Sequence, residues 1–104
     1  MSTITGIYGP VKLKNRIKAI DPSLELDIKG IRVNDITVGA VGFVTDTATE
    51  RIVYINTDNN GGYAKGVGLY RTAKSTKDWT GGTNHFAPYD NLAKAVVDLL
   101  RNPS

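Results

Sequence analysis

The sequence predicts an α+β fold: an antiparallel β-meander sheet with a C-terminal helix packed on one face. Three observations carry this. Between Leu24 and Asn56, apolar residues alternate with polar ones or gather in β-branched runs, and short polar turns separate the runs. Near Asn60 the pattern gives way to a glycine-rich stretch. After Pro88, apolar residues recur at helical spacing. A chain of 104 residues is one domain, 1–104, with room for a single modest core.

Taken in order, Val11 to Ile20 fits two periods. Val11, Leu13 and Ile17 sit at even spacing, as on a strand, while Pro10 at a first helical position with Leu13, Ile17 and Ile20 on one side suits a short helix. The reading adopted is a strand that bends before Asp21-Pro22, with Lys12, Lys14, Arg16 and Lys18 on a solvated outer face. Leu24 to Ile28 alternates cleanly, and Ile31-Arg32-Val33 resumes the strand after a turn or bulge at Gly30. Asn34-Asp35 is turn chemistry. Ile36 to Thr45 is a β-branched strand slimmed by Gly39, Ala40 and Gly42, which predicts close packing above it. Asp46 to Thr49 reads as a hairpin loop, and Arg51 to Asn56 as the next strand. Val67 to Thr72 forms a strand between two glycine turns, 59–62 and 80–83. Phe86 is expected in the core, as a lid over the helix. That helix carries Leu92, Ala95, Val96, Leu99 and Leu100 on one stripe, with Asp90 or Asn91 as cap and Arg101 at the negative end of its dipole.

Composition excludes several function classes. There is no cysteine, so there is no disulfide framework, thiolate metal site or cysteine nucleophile, and a cytoplasmic location is expected. One histidine, His85, excludes a His-rich metal centre, and it is given no proton-transfer role. No apolar run nears the ~20 residues a membrane span needs, and the N-terminus lacks the basic and apolar regions of a signal peptide. Thirteen Lys and Arg against ten Asp and Glu give +3, a mild preference for anionic partners. No nucleophile elbow, paired carboxylates or phosphate-loop motif occurs, so the reading is a non-catalytic protein with no cofactor and no metal.

The chemistry concentrates between Asn56 and Pro88. Two glycine-rich turns there permit close backbone approach to an anion or a ring. Arg offers a planar fork for phosphate, Lys a point charge, Trp a stacking face and Asn a donor and an acceptor for a base edge. The contact set is Arg71, Lys74, Trp79, Asn84 and Arg101, with Gly81 and Gly82 giving backbone access. Each also has a plain structural reading: a strand salt bridge for Arg71, solvation for Lys74, core packing for Trp79, turn formation for Asn84 and a helix-dipole partner for Arg101.

The run from Leu69 to Asn84, LYRTAKSTKDWTGGTN, followed by a helix with Asn91-Leu92 and Ala95-Val96, resembles small phage proteins that counter bacterial defence, in particular the first family of Thoeris anti-defence proteins, which act as nucleotide sponges. The resemblance covers roughly the last third of the chain, its size and its sheet-first order. It implies a cytoplasmic, phage-encoded oligomer that binds a cyclic ADP-ribose-type signal without cleaving it, and relatives hold cyclic oligonucleotides at separate sites. It implies pockets between protomers, with an aromatic on adenine and Arg and Asn on phosphate and ribose. Asn84 and Arg101 are the matching positions, and Trp79, Phe86 and Tyr70 each offer a ring for the stack. Sequestration needs a Kd near ~1 nM, about −12 kcal/mol, hence near-complete burial of the ligand. So small a chain has little internal room, so a homo-oligomer is expected. The rival readings are a single-stranded nucleic-acid-binding module, with the same side chains spread over an open sheet, and a phage structural or interaction module.

Overall fold

The computed structural model describes residues 9–57, 66–78 and 82–102. Helix α1 (Pro10–Ile20) is followed by β1 (Glu25–Val33), β2 (Ile36–Asp46), β3 (Arg51–Asn56), β4 (Val67–Ala73), β5 (His85–Pro88) and helix α2 (Tyr89–Arg101). The strands form one antiparallel sheet in the order β1-β2-β3-β4-β5, a meander, and α2 packs on it as the helical stripe predicts.

Residues 10–20 are a helix, which corrects the strand reading. A strand would put Val11, Leu13, Asn15 and Ile17 on one face and bury an asparagine with them. The helix buries only Leu13 and Ile17, one turn apart and both at 0% exposure, and leaves Val11 66% exposed. Pro10 supplies its preset φ at the first turn. The Asp21 backbone N–H closes the last turn onto Ile17 O (2.9 Å), and Pro22 stands beyond the stop. Ile20 is turned outward rather than joining the apolar side.

The hairpin between β1 and β2 turns on Asn34 and Asp35, both at positive φ (52° and 67°), the geometry a two-residue hairpin needs. β1 runs unbroken through Gly30, and its register shift falls one residue later, between Ile31 and Arg32. What lies close to the slim part of β2 is β1 itself: a Cβ on Gly42 would come within 2.0 Å of Asp27 O. After β2, the Glu50 N–H donates to Asp46 O (2.7 Å) and closes the next turn. Past the end of β3, Thr57 prolongs the ladder, and its hydroxyl accepts from the buried Ala40 N–H (2.8 Å).

The core lies between the two helices and one face of the sheet. Ile28, Val44, Val53 and Ile55 look into it and meet Leu13, Ile17, Leu92, Val96 and Leu100. The predicted stripe of α2 is buried except for Ala95, which is half-buried, and Ala93 and Val97 join it. The expected side-chain cap is absent. Pro88 is the N-cap, and Asp90 instead reaches Arg16 on α1 (3.1 Å). At the other end Arg51 donates to Leu100 O (3.1 Å) and Arg101 O (3.2 Å).

Phe86 is not in the core. It is 55% exposed and pairs with Leu69 on the face turned away from the helices. The next residue, Ala87, sits under α2 beside Gly68, where a Cβ would already be 2.6 Å from Leu92. The helix lies so low over this end of the sheet that only small side chains fit, and strand alternation sends Phe86 outward.

Candidate functional site

The register places the predicted contact residues. On β3, Val53 and Ile55 point to the helices, so Tyr54 points away, and Arg71, its partner on β4, shares that open face. The Arg71 guanidinium donates to Gly82 O, tying the end of β4 to the returning chain. Gly82 lies against Thr72: a Cβ there would stand 2.6 Å from Thr72 O, so this position admits no side chain without displacing the backbone. Asn84, exposed, comes one residue before the Tyr70–His85 pair and is therefore level with Arg71. Lys74, also exposed, follows the end of β4. Its N–H donates to Asp78 O (3.0 Å) in a tight turn in which Ser75 and Asp78 exchange backbone bonds. The structure thus gathers Arg71, Lys74, Gly82 and Asn84 at one end of the β4–β5 edge. Trp79 and Gly81, like the glycine turn at 59–62, lie outside the described residues.

Arg101 is elsewhere. It stands in the last turn of α2, on the helical side, and pairs with Asp21 Oδ2 (3.2 Å) at the end of α1. The Asp21 carboxyl is held below its usual range first by the Ser23 hydroxyl (2.6 Å), then by the Ser23 backbone N–H (3.0 Å); loss of hydration opposes them, and Arg101 adds a lesser lowering.

The open face also carries rings. Phe43 and Tyr54 meet at 5.5 Å between centroids with an interplanar angle of 55°, and Asn56 Nδ2 donates to Tyr54 Oη (3.2 Å). Phe86 is exposed on the same face.

On the helical side, sequence reasoning missed a cleft of about 550 Å3 between α2 and the β4–β5 edge, lined by Tyr70, His85, Ala95, Asp98, Leu99 and Asn102. Tyr70 and His85 stack at 5.3 Å with 27° between their planes. Burial pushes the Tyr70 phenol pKa up, and the nearby charge of Asp98 adds to the shift. One sequence signal pointed here. Asp98 is a carboxylate in the last turn of a helix, where the dipole disfavours it. Among the described residues, no cluster of His, Cys, Asp and Glu is arranged to hold a metal ion, and no helix is long and apolar enough to cross a membrane.

No family model, curated protein or solved structure matches the chain.

Proposed function

We propose that this protein is a non-catalytic binder of a phosphate-bearing, nucleotide-sized ligand and acts by sequestering it. The observation that carries the reading is the gathering of Arg71, Lys74, Gly82 and Asn84 at one end of the β4–β5 edge, with the Tyr70–His85 stack at the same end on the helical face. A fork cation, a point cation, a close-packed glycine and an amide are what a phosphate and its sugar need. Arg101, committed to Asp21, is left to a structural role. A ligand of the cyclic ADP-ribose type, action in the cytoplasm of a phage-infected host and pockets shared between protomers follow from the resemblance of the segment 69–84.

The test is incubation with a panel of cyclic nucleotides, removal of free ligand, heat denaturation and analysis of what is released. Recovery of intact ligand supports sequestration, and altered ligand means an enzyme. Arg71→Ala should weaken binding by ten- to a hundredfold, the ~1.5–3 kcal/mol of a charge-assisted bond to phosphate, while Arg101→Ala should not. Light scattering tests the shared pocket: a particle of 11.2 kDa at micromolar concentration removes it.

A second reading, a single-strand binder, is favoured by the open face, where Phe43, Tyr54 and Phe86 accompany Arg71. It predicts affinity for random single-stranded oligonucleotides that falls steeply with salt.

A further inference from the structure

We infer that the cleft between α2 and the β4–β5 edge is a base pocket, and that the base it takes is guanine. The inference rests on the nucleotide-binding reading and names its base as guanine, in place of the adenine that the resemblance of the segment 69–84 implies.

The walls suit a flat heteroaromatic ring. Tyr70 and His85 are stacked on one side, and Ala95 and Leu99, one helical turn apart, form the apolar part of the other. The volume, about 550 Å3, lies within the ~300–1,000 Å3 of small-molecule sites. The polar groups are Asp98 and Asn102, also one turn apart.

Asp98 decides the base. The dipole of α2 disfavours a carboxylate in its last turn, so the helix itself gives no reason for one there. Two cations lie within helical reach, Lys94 four residues before and Arg101 three after, yet among the described residues neither makes an ion pair with it. Arg101 turns to Asp21 instead. Among the described residues no cation pairs with Asp98, which lines the cleft as an acceptor close enough to Tyr70 to raise the pKa of its phenol.

An ionised carboxylate only accepts hydrogen bonds. Guanine presents two adjacent donors, N1–H and the N2 amine, which match its two oxygens. Adenine presents one amine beside the N1 lone pair, which the carboxylate repels. Hypoxanthine keeps N1–H and lacks the N2 amine. The Asn102 amide, with both a donor and an acceptor, can meet the guanine O6 that Asp98 cannot.

The experiment is calorimetric titration of the full chain with GMP, IMP and AMP, repeated on Asp98→Asn and Arg71→Ala, with thermal unfolding of each variant. The expected order is GMP tighter than IMP and IMP tighter than AMP, with ten- to a hundredfold between GMP and AMP. Asp98→Asn should weaken GMP by at least tenfold, leave AMP unchanged or tighter, and keep the melting temperature, since it breaks no ion pair among the described residues. Arg71→Ala, on the open face at the same end of the edge, should weaken all three alike, since the phosphate reaches round β5 to meet it. Equal affinity for GMP and AMP, both weakened by Arg71→Ala, overturns the guanine pocket and leaves phosphate binding standing. A GMP preference that survives Asp98→Asn also overturns it. No binding of any of the three overturns the guanine pocket, and release of no ligand from the cyclic-nucleotide panel overturns the reading on which it rests.

Discussion

Replacing Thr57 by valine tests whether the end of β3 is held by one hydroxyl. Thr57 is 2% exposed and Ala40, across from it, is fully buried. The pair is joined twice at 2.8 Å, by the Thr57 N–H on Ala40 O and by the Ala40 N–H on Thr57 Oγ1. Valine keeps the first bond and the shape and deletes the second, along with the longer bond that the hydroxyl donates to Ala40 O (3.4 Å). The Ala40 N–H is then buried without its acceptor, a loss of about 1–3 kcal/mol. For a domain of this size each kcal/mol moves the midpoint by roughly 4–8 °C, so even the lower bound is measurable. Thr57→Ser is the control. It keeps the hydroxyl and removes the methyl that rests near Gly68, about 0.8 kcal/mol of apolar burial plus a small cavity. Calorimetric unfolding of the three proteins, with hydrogen exchange at the Ala40 amide, provides the measurement. The valine variant should melt below the serine variant, and its Ala40 amide should exchange faster. If valine matches or exceeds serine in stability, the hydroxyl is not what secures β2 to the end of β3, and the reasoning is refuted.

Arg51→Ala should cost about 0.3–1 kcal/mol by uncapping the carbonyls of Leu100 and Arg101, and the difference from wild type, read by chemical denaturation, should shrink in high salt. The Asp21 carboxyl titrates below its ordinary value, so its contribution to stability is present above the unfolded-state pKa and is lost as pH falls through the lower folded-state pKa. Ser23→Ala removes the larger cause, the hydroxyl bond, so the acid side of its stability–pH curve should flatten relative to wild type.

The strands were legible because their signals are local. Arg51 to Asn56 alternates between helix face and open face residue by residue, and Asn34-Asp35 are residues that tolerate positive φ. Residues 10–20 were not, because Leu13 and Ile17 serve either period, and the choice depends on the fate of Val11 and Asn15, which is set by what α1 lies upon. Phe86 misled for a related reason: its hydrophobicity is local information, while the low seat of α2 over Gly68 and Ala87 is tertiary. In the candidate site, the Arg71–Gly82 tie joins residues in neighbouring chain segments and was within reach of the glycine-turn argument. The cleft was not, since Tyr70, His85 and Asp98 meet only when α2 folds back over the edge it has just left.

The clasp between the first and last helices governs the order in which the chain can mature. The Tyr89 hydroxyl donates to Gly9 O (2.6 Å), Arg16 meets Asp90 (3.1 Å) and Arg101 meets Asp21 (3.2 Å), contacts spanning 74 to 80 residues. The hairpins of the meander, by contrast, join chain neighbours and need no distant partner. On the ribosome α1 emerges before α2, and Leu13 and Ile17 have no α2 to close on until residues 89–101 are made. The sheet is therefore free to assemble ahead of α2 during synthesis, whereas the helical layer, and with it the wall that Asp98 and Leu99 give the cleft, is completed only once α2 has left the exit tunnel.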